Sequence, residues 1–287
     1  MSIEKILPLL TGVTSREIGK YKAHCPAHDD KTPSLSIKEM PDGKVLLHCF
    51  AGCGFYEILL AIGLSKSDYR GGGERIDREE FNRRKSEEIA ATNARNADVA
   101  AYAVEIYGMA ERAQNSNTYS IKNGLRDLED QFVKQDHTAL IVPMYDTYEN
   151  YLPQSDMVNL QFIYDKRKIF LTGGKTKGCY FPFYFNKFGE PTKILMICEG
   201  FATGYSVMQN FECDVLVAFS AGNLKEVALN AVNKFTWYDE ILIAADNDES
   251  HVGEKMALEA ARVAGIDYIM PDIRGMDFND YFNRPDL

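Results

Sequence analysis

The chain has 287 residues, a formal net charge of −10 and 45% hydrophobic residues. That length supports one large domain or two to three smaller ones with ample core. No stretch approaches eighteen uninterrupted apolar residues, which argues against a membrane protein, and the acidic balance argues against whole-surface adhesion to nucleic acid. Met1 to Leu10 carries Glu4 and lacks a basic segment followed by an apolar core and a cleavage site. No export signal is read there, so a cytoplasmic location with reduced cysteines and no disulfide is expected.

The first chemical signal is Cys25-Pro26-Ala27-His28, answered twenty residues later by Cys49-Phe50-Ala51-Gly52-Cys53. Two close pairs of soft ligands can complete one tetrahedron, and four protein ligands leave no open position, so Cys25, His28, Cys49 and Cys53 read as a structural Zn2+ site. Spacing alone leaves open an accidental grouping, and His24 or His48 could replace His28 or join the set. Val45-Leu46-Leu47-His48 is strand-like and Pro41-Asp42-Gly43 marks a turn, giving a small zinc-bound β ribbon closed by a helix over Phe55 to Leu64. Phe50 is expected to pack the ribbon, with stacking on a nucleic-acid base as the alternative. Cys179, Cys198 and Cys213 sit among apolar neighbours as small buried hydrophobes.

Arg70-Gly71-Gly72-Gly73-Glu74 interrupts every periodicity and places a linker. From Arg75 to about Gln114 an Ala-, Glu-, Arg- and Asn-rich stretch without Pro predicts one or two connector helices that carry no obvious chemistry. Strands are expected over 139–145, 157–164, 168–171 and 179–184. Between them, Asp165-Lys166-Arg167-Lys168 through Lys175-Thr176-Lys177 holds five basic residues and one acidic one. This is a candidate phosphate-contacting patch, or a solvated basic hairpin. Gly173-Gly174-Lys175-Thr176 is not a P-loop, because Ile169 stands where the first glycine of that pattern belongs. These glycines let a backbone approach a phosphate or form a tight hairpin.

From Lys193 onward, apolar runs alternate with helical segments: strands at 194–198, 214–219, 241–245 and 268–270, helices at 200–210, 223–234 and 251–264. Such alternation predicts a parallel sheet covered on both faces. Glu199 ends the first strand, while Asp246 and Asp248 follow the third, so three carboxylates converge at the carboxyl ends where open α/β sheets bind ligands. Their mutual repulsion calls for a divalent cation, and hard oxygen ligands suit Mg2+ or Mn2+ with phosphates completing the shell. Asp248 could instead cap the following helix. Gly200, Gly204 and Gly253 fit close backbone approaches, and Asp277 and Asp280 add acidity from the C-terminal loop.

The run from Cys25-Pro26-Ala27-His28-Asp29-Asp30-Lys31-Thr32-Pro33-Ser34 to His48-Cys49-Phe50-Ala51-Gly52-Cys53-Gly54 closely resembles the zinc-binding domain of bacterial-type and bacteriophage DNA primases, with one extra residue between the last two cysteines. Glu199-Gly200 and Asp246-Asn247-Asp248 resemble the two acidic motifs of a TOPRIM domain. Ser220-Ala221-Gly222-Asn223-Leu224 and Asp277-Phe278-Asn279-Asp280 are similar to plasmid and phage versions, and 139–185 resembles the basic half of their polymerase core. The resemblance implies an α/β protein of four parts: a zinc-ribbon template-binding domain (1–69), a linker and helical connector (70–124), a basic mixed-β subdomain (125–192) and a TOPRIM parallel-sheet α/β domain (193–287).

The implied activity is synthesis of short RNA primers on single-stranded DNA from ribonucleoside triphosphates, for a phage, prophage or plasmid replicon. Glu199, Asp246 and Asp248 would hold the catalytic metal. Lys166, Arg167, Lys168, Lys175, Lys177, Asp277 and Asp280 would contact template or triphosphate. The chain carries no P-loop of the ring helicase that continues many phage relatives, so the expectation is either a stand-alone primase or a primase fragment whose helicase is a separate polypeptide, with a separate replicative helicase as the expected partner. The rival readings are a nuclease using the same acids and a non-catalytic zinc-dependent loading protein.

Overall fold

The computed structural model describes residues 3–40, 43–65, 78–148, 154–186, 192–249 and 251–284, and divides into two compact units, Met1–Asn93 and Ala94–Leu287. In the first unit, β1 (Thr14–Glu17), β2 (Lys20–Ala23), β3 (Leu35–Glu39) and β4 (Val45–Cys49) form an antiparallel sheet in sequential order. Strict alternation gives the sheet one buried face, on which Leu35, Ile37, Val45 and Leu47 meet Ile3 and Ile6 of α1 (Ile3–Ile6) and Ile58 and Leu59 of α2 (Phe55–Ala61). Gly43 lies at φ 76° and donates to Met40, while Pro41 and Asp42 of the expected turn lie outside the described residues. So do Arg70 to Glu74 of the expected linker.

The connector forms a single 32-residue helix, α3 (Arg78–Met109), within which the division between the units falls. Its part in the second unit packs against the body of that unit. Ala103 and Tyr107 enter the core, and Val99 packs so tightly on Gly174 that a Cβ there would stand 2.7 Å from Val99 and 2.6 Å from Asn159. Gly174 thus permits close packing inside the protein, while Gly173, at φ 85°, makes the turn.

Beyond α3, the short strands β5 (Glu111–Arg112) and β6 (Lys134–Gln135) lead into β7 (Leu140–Tyr145), β8 (Met157–Ile163) and β9 (Lys168–Phe170), an antiparallel sheet of five. Helix α4 (Thr118–Lys122) lies in the connection between β5 and β6. The next strand, β10 (Phe181–Phe183), pairs antiparallel with a strand of a second sheet, ordered β10-β12-β11-β13-β14. There β11 (Ile194–Cys198), β12 (Asp214–Val217), β13 (Glu240–Ala244) and β14 (Asp267–Ile269) are all parallel.

Successive residues of β11 point to opposite faces. Leu195 and Ile197 meet α6 (Leu224–Lys234) and α7 (Val252–Ala264), while Met196 and Cys198 meet α5 (Phe201–Phe211) and Phe278 of α8 (Phe278–Phe282). Burial on both faces explains why these strands are unbroken apolar runs. Gly204 of α5 lies where a Cβ would stand 2.7 Å from Val217 and 3.0 Å from the Cys198 sulfur, so its role is packing of helix on sheet. Among the described residues no helix is long and apolar enough to cross a membrane.

Candidate functional site

In the first unit the ligand atoms of Cys25, His28, Cys49 and Cys53 all lie within 4.8 Å of one another. A Zn–S bond of about 2.3 Å implies tetrahedral ligand atoms roughly 3.8 Å apart, so the set fits zinc. His28 turns Nδ1 to the thiols, 3.2 Å from Cys53 Sγ and 3.9 Å from Cys49 Sγ, and Nε2 toward Asp30 Oδ1 at 3.7 Å. Asp30 organises the site from behind. Its Oδ2 accepts from the Cys25 N–H at 2.6 Å, the Ser34 N–H at 3.0 Å and the Ser34 hydroxyl at 2.7 Å. Burial opposes its ionisation, but these donors hold the carboxyl well below the usual range. Burial likewise opposes ionisation of Cys49, and the Ser34 hydroxyl with the Cys53 and Ala51 N–H groups overcomes it, lowering the thiol to about 6. The extra residue of Cys49-Phe50-Ala51-Gly52-Cys53 is absorbed by Gly52 at φ 94°.

Neither alternative histidine belongs to the set. The His24 ring packs beside Gly12, and His48 points outward from β4. Phe50 does not pack the ribbon as expected: it is 66% exposed, edge-on to His48 at 5.0 Å, with Lys22 Nζ 5.7 Å from its ring centroid. The alternation that buries Cys49 turns Phe50 outward, a period-2 signal already present in the sequence. On the same outer face Lys38 and Leu46 are opposed across β3 and β4, as are Ser36 and His48, giving a basic and aromatic sheet face.

In the second unit Glu199 follows β11 and its carboxylate accepts from the Ala221 N–H. Asp246 and Asp248 follow β13. Asp248 Oδ2 accepts from the Gly253 N–H at 3.0 Å, so the capping alternative also holds, and a Cβ on Gly253 would stand 3.0 Å from that oxygen. Asp277 joins them. An antiparallel bridge between Asn247 and Met276 and the bond from the Gly275 N–H to the Asn247 carbonyl fasten the C-terminal loop to the loop after β13. Asp277 then caps α8 through Oδ1 and accepts from the Thr203 hydroxyl through Oδ2 at 2.9 Å.

Burial, then the charges of Asp277 and Glu199, push the Asp246 carboxyl up to about 7, against a lowering by Lys168. Burial also raises Glu199, opposed by the Ala221 N–H and Lys168. Asp246 Oδ1 is buried and without a hydrogen-bond partner. A buried orphan oxygen among like charges fits a divalent cation with hard oxygen ligands. Among the described residues only the Cys/His set brings three or more candidate ligand atoms within 4.8 Å, so the acids are more widely spaced than the Cys/His ligands.

The basic candidates separate. The Lys168 charge acts on Glu199 and Asp246. Lys166 and Arg167 are exposed on the turn before β9, Arg167 lying over Tyr164 at 4.7 Å. Lys175 is ion-paired with Asp146, and Lys177 with Glu226 at 2.9 Å. Asp280 is exposed on α8, and burial together with Asp277 raises its carboxyl.

Residues 194–285 match the Toprim domain family. Among solved structures, the chain is similar to the primase fragment of the bacteriophage T7 primase-helicase protein, with 19% identity, a TM-score of 0.43, and coverage of 62% of this chain and 73% of that one. It is also similar to the Aquifex aeolicus primase comprising zinc-binding and RNA polymerase domains, with 12% identity, a TM-score of 0.43, and coverage of 98% and 79%.

Asp30→Ala should weaken zinc binding by roughly 10- to 100-fold, measured by competition with a chromophoric chelator, because the support behind His28 and Cys25 is lost. Unchanged affinity would assign Asp30 to the fold alone. A second expectation concerns the metal-free protein in EDTA. The raised Asp246 pKa contributes stability that is complete below the unfolded carboxylate range and is lost as pH rises through about 7, up to about 4 kcal/mol. Asp246→Asn should therefore gain on wild type as pH rises from 5 to 8, melting several degrees further above it at pH 8 than at pH 5, and a pH-independent difference would contradict the burial of that charge.

Proposed function

We propose that this chain is a template-directed DNA primase, joining ribonucleoside triphosphates into short RNA primers on single-stranded DNA, for a phage, prophage or plasmid replicon with a separate replicative helicase as partner. The observation that carries this reading is the pairing, on one chain, of a primase-like Cys/His ribbon with a Toprim acid site whose buried Asp246 oxygen lacks a partner.

Glu199, Asp246 and Asp248 are the proposed Mg2+ or Mn2+ ligands, with Asp277 completing the acidic field. The bound cation would neutralise the triphosphate and lower the pKa of the attacking 3′-hydroxyl. The Ala221 N–H orients Glu199, the Gly253 N–H orients Asp248 and the Thr203 hydroxyl orients Asp277, so the carboxylates are positioned before substrate arrives. Lys168 is the basic residue best supported for the phosphates, and Lys166 and Arg167 extend that charge along the turn. Zn2+ would hold the ribbon, whose outer face offers Phe50 for stacking on a template base and Lys22 and Lys38 for its phosphates.

The test is incorporation of labelled ribonucleotides on mixed-sequence single-stranded DNA with Mg2+ or Mn2+. Short products are expected from wild type and none from Asp246→Ala, with DNA binding retained by the variant. Template degradation without nucleotides would replace this reading with a nuclease, and equal yield from the variant would refute the acid site. Phe50→Ala should weaken binding of single-stranded DNA by at least about fivefold in fluorescence anisotropy, the loss of one stacking contact. Unaltered affinity would remove this face from template recognition.

A further inference from the structure

We propose that a cleft in the second unit, between the hairpin after β9 and the loop after β12, binds the base of the nucleoside triphosphate whose phosphates occupy the acid site; this inference rests on the nucleotidyl-transfer reading above. The cleft measures about 280 Å³ and is lined by Met144, Phe170, Thr176, Phe219, Ser220 and Gly222 among others. Small-molecule pockets start at roughly 300 Å³, so this one is sized for part of a nucleotide, such as its base.

Its walls suit a planar apolar group. The Phe170 and Phe219 rings stand edge-to-face at 6.1 Å, an arrangement that leaves aromatic surface for stacking. Phe219 holds its ring there at φ 67°, a left-handed backbone that a bulky residue adopts only under strain. Such strain is concentrated at ligand-binding sites. The charges at the rim are compensated, Lys177 by Glu226 at 2.9 Å and Lys225 by Glu259 at 3.0 Å. The cleft therefore offers little net attraction to phosphate, and the cation demand is concentrated at the acids.

Two elements make cleft and acid site continuous. Strand β9 carries Lys168, whose charge acts on Glu199 and Asp246, and two residues later, on the same side of the strand, Phe170. The loop after β12 lines the cleft with Ser220 and Gly222 and gives the intervening Ala221 N–H to Glu199. Buried Asn223 ties the two walls together: it accepts from the Gly178 N–H at 2.7 Å and donates to the Cys179 and Ala218 carbonyls, both at 2.9 Å.

The experiment is calorimetric titration of the full chain, with Mg2+, by ATP and separately by inorganic tripolyphosphate. The variants are Phe170→Ala, Phe219→Asn, which tolerates the left-handed backbone, and Gly222→Leu, whose added Cβ meets open space. Each should weaken ATP at least about fivefold and leave tripolyphosphate unchanged, whereas Asp246→Ala should weaken both. Wild-type ATP affinity in all three variants, or equal weakening of both ligands, would overturn the base cleft while leaving the nucleotide reading intact. Failure of the wild-type protein to bind either ligand would overturn both.

Discussion

Asp246 is buried, and the charges of Asp277, Glu199 and Asp248 add to the cost of ionising it, so the four acids together call for a counter-charge. Much of the second unit serves to impose that arrangement. The parallel strands β11 and β13 are adjacent, so their carboxyl ends deliver Glu199 and Asp246 to one crevice. Gly253 allows α7 to begin against Asp248 and the Asp246 backbone, and the Asn247–Met276 bridge carries Asp277 back across the sequence. The donors around the site reach Glu199, Asp248 and Asp277, while the buried Asp246 Oδ1 is left for something outside the chain.

The Cys/His ribbon answers the opposite problem. Its core is drawn from a few residues of α1, α2 and three short strands, β2 to β4, and a domain of this size commonly needs a metal for much of its stability. Asp30 makes the ligand set part of the fold, since one carboxylate binds the Cys25 backbone and Ser34 and faces His28. Removing metal and removing Asp30 thus act on the same structure, one from inside the tetrahedron and one from behind it.

The parts legible in the sequence are those in which local pattern and tertiary burial agree. The four parallel strands and three long helices of the segment matching Toprim fall within one or two residues of their expected bounds, because strands covered on both faces are continuous apolar runs and the last two of the helices are amphipathic. The Cys/His ligands were equally legible, their spacing being itself the chemistry. Contacts between distant segments were not. Nothing near Gly174 announces Val99 across seventy-five residues, so its packing role could not be separated from a phosphate loop. The edge pairing of β10 with β12 and the approach of Asp277 to Asp246 likewise depend on non-local closure. Phe50 is different in kind, since strand alternation beside Cys49 already required it to face outward.

The central claim is that the carboxylates around Asp246 are a divalent-cation site. It is tested most directly by titrating the zinc-loaded protein with Mn2+ and following the electron paramagnetic resonance signal of the free ion. Saturable loss of that signal, abolished in Asp246→Ala while bound zinc remains stoichiometric, is the predicted result. Absence of saturable binding in the wild-type protein, or identical binding in the variant, would contradict the account.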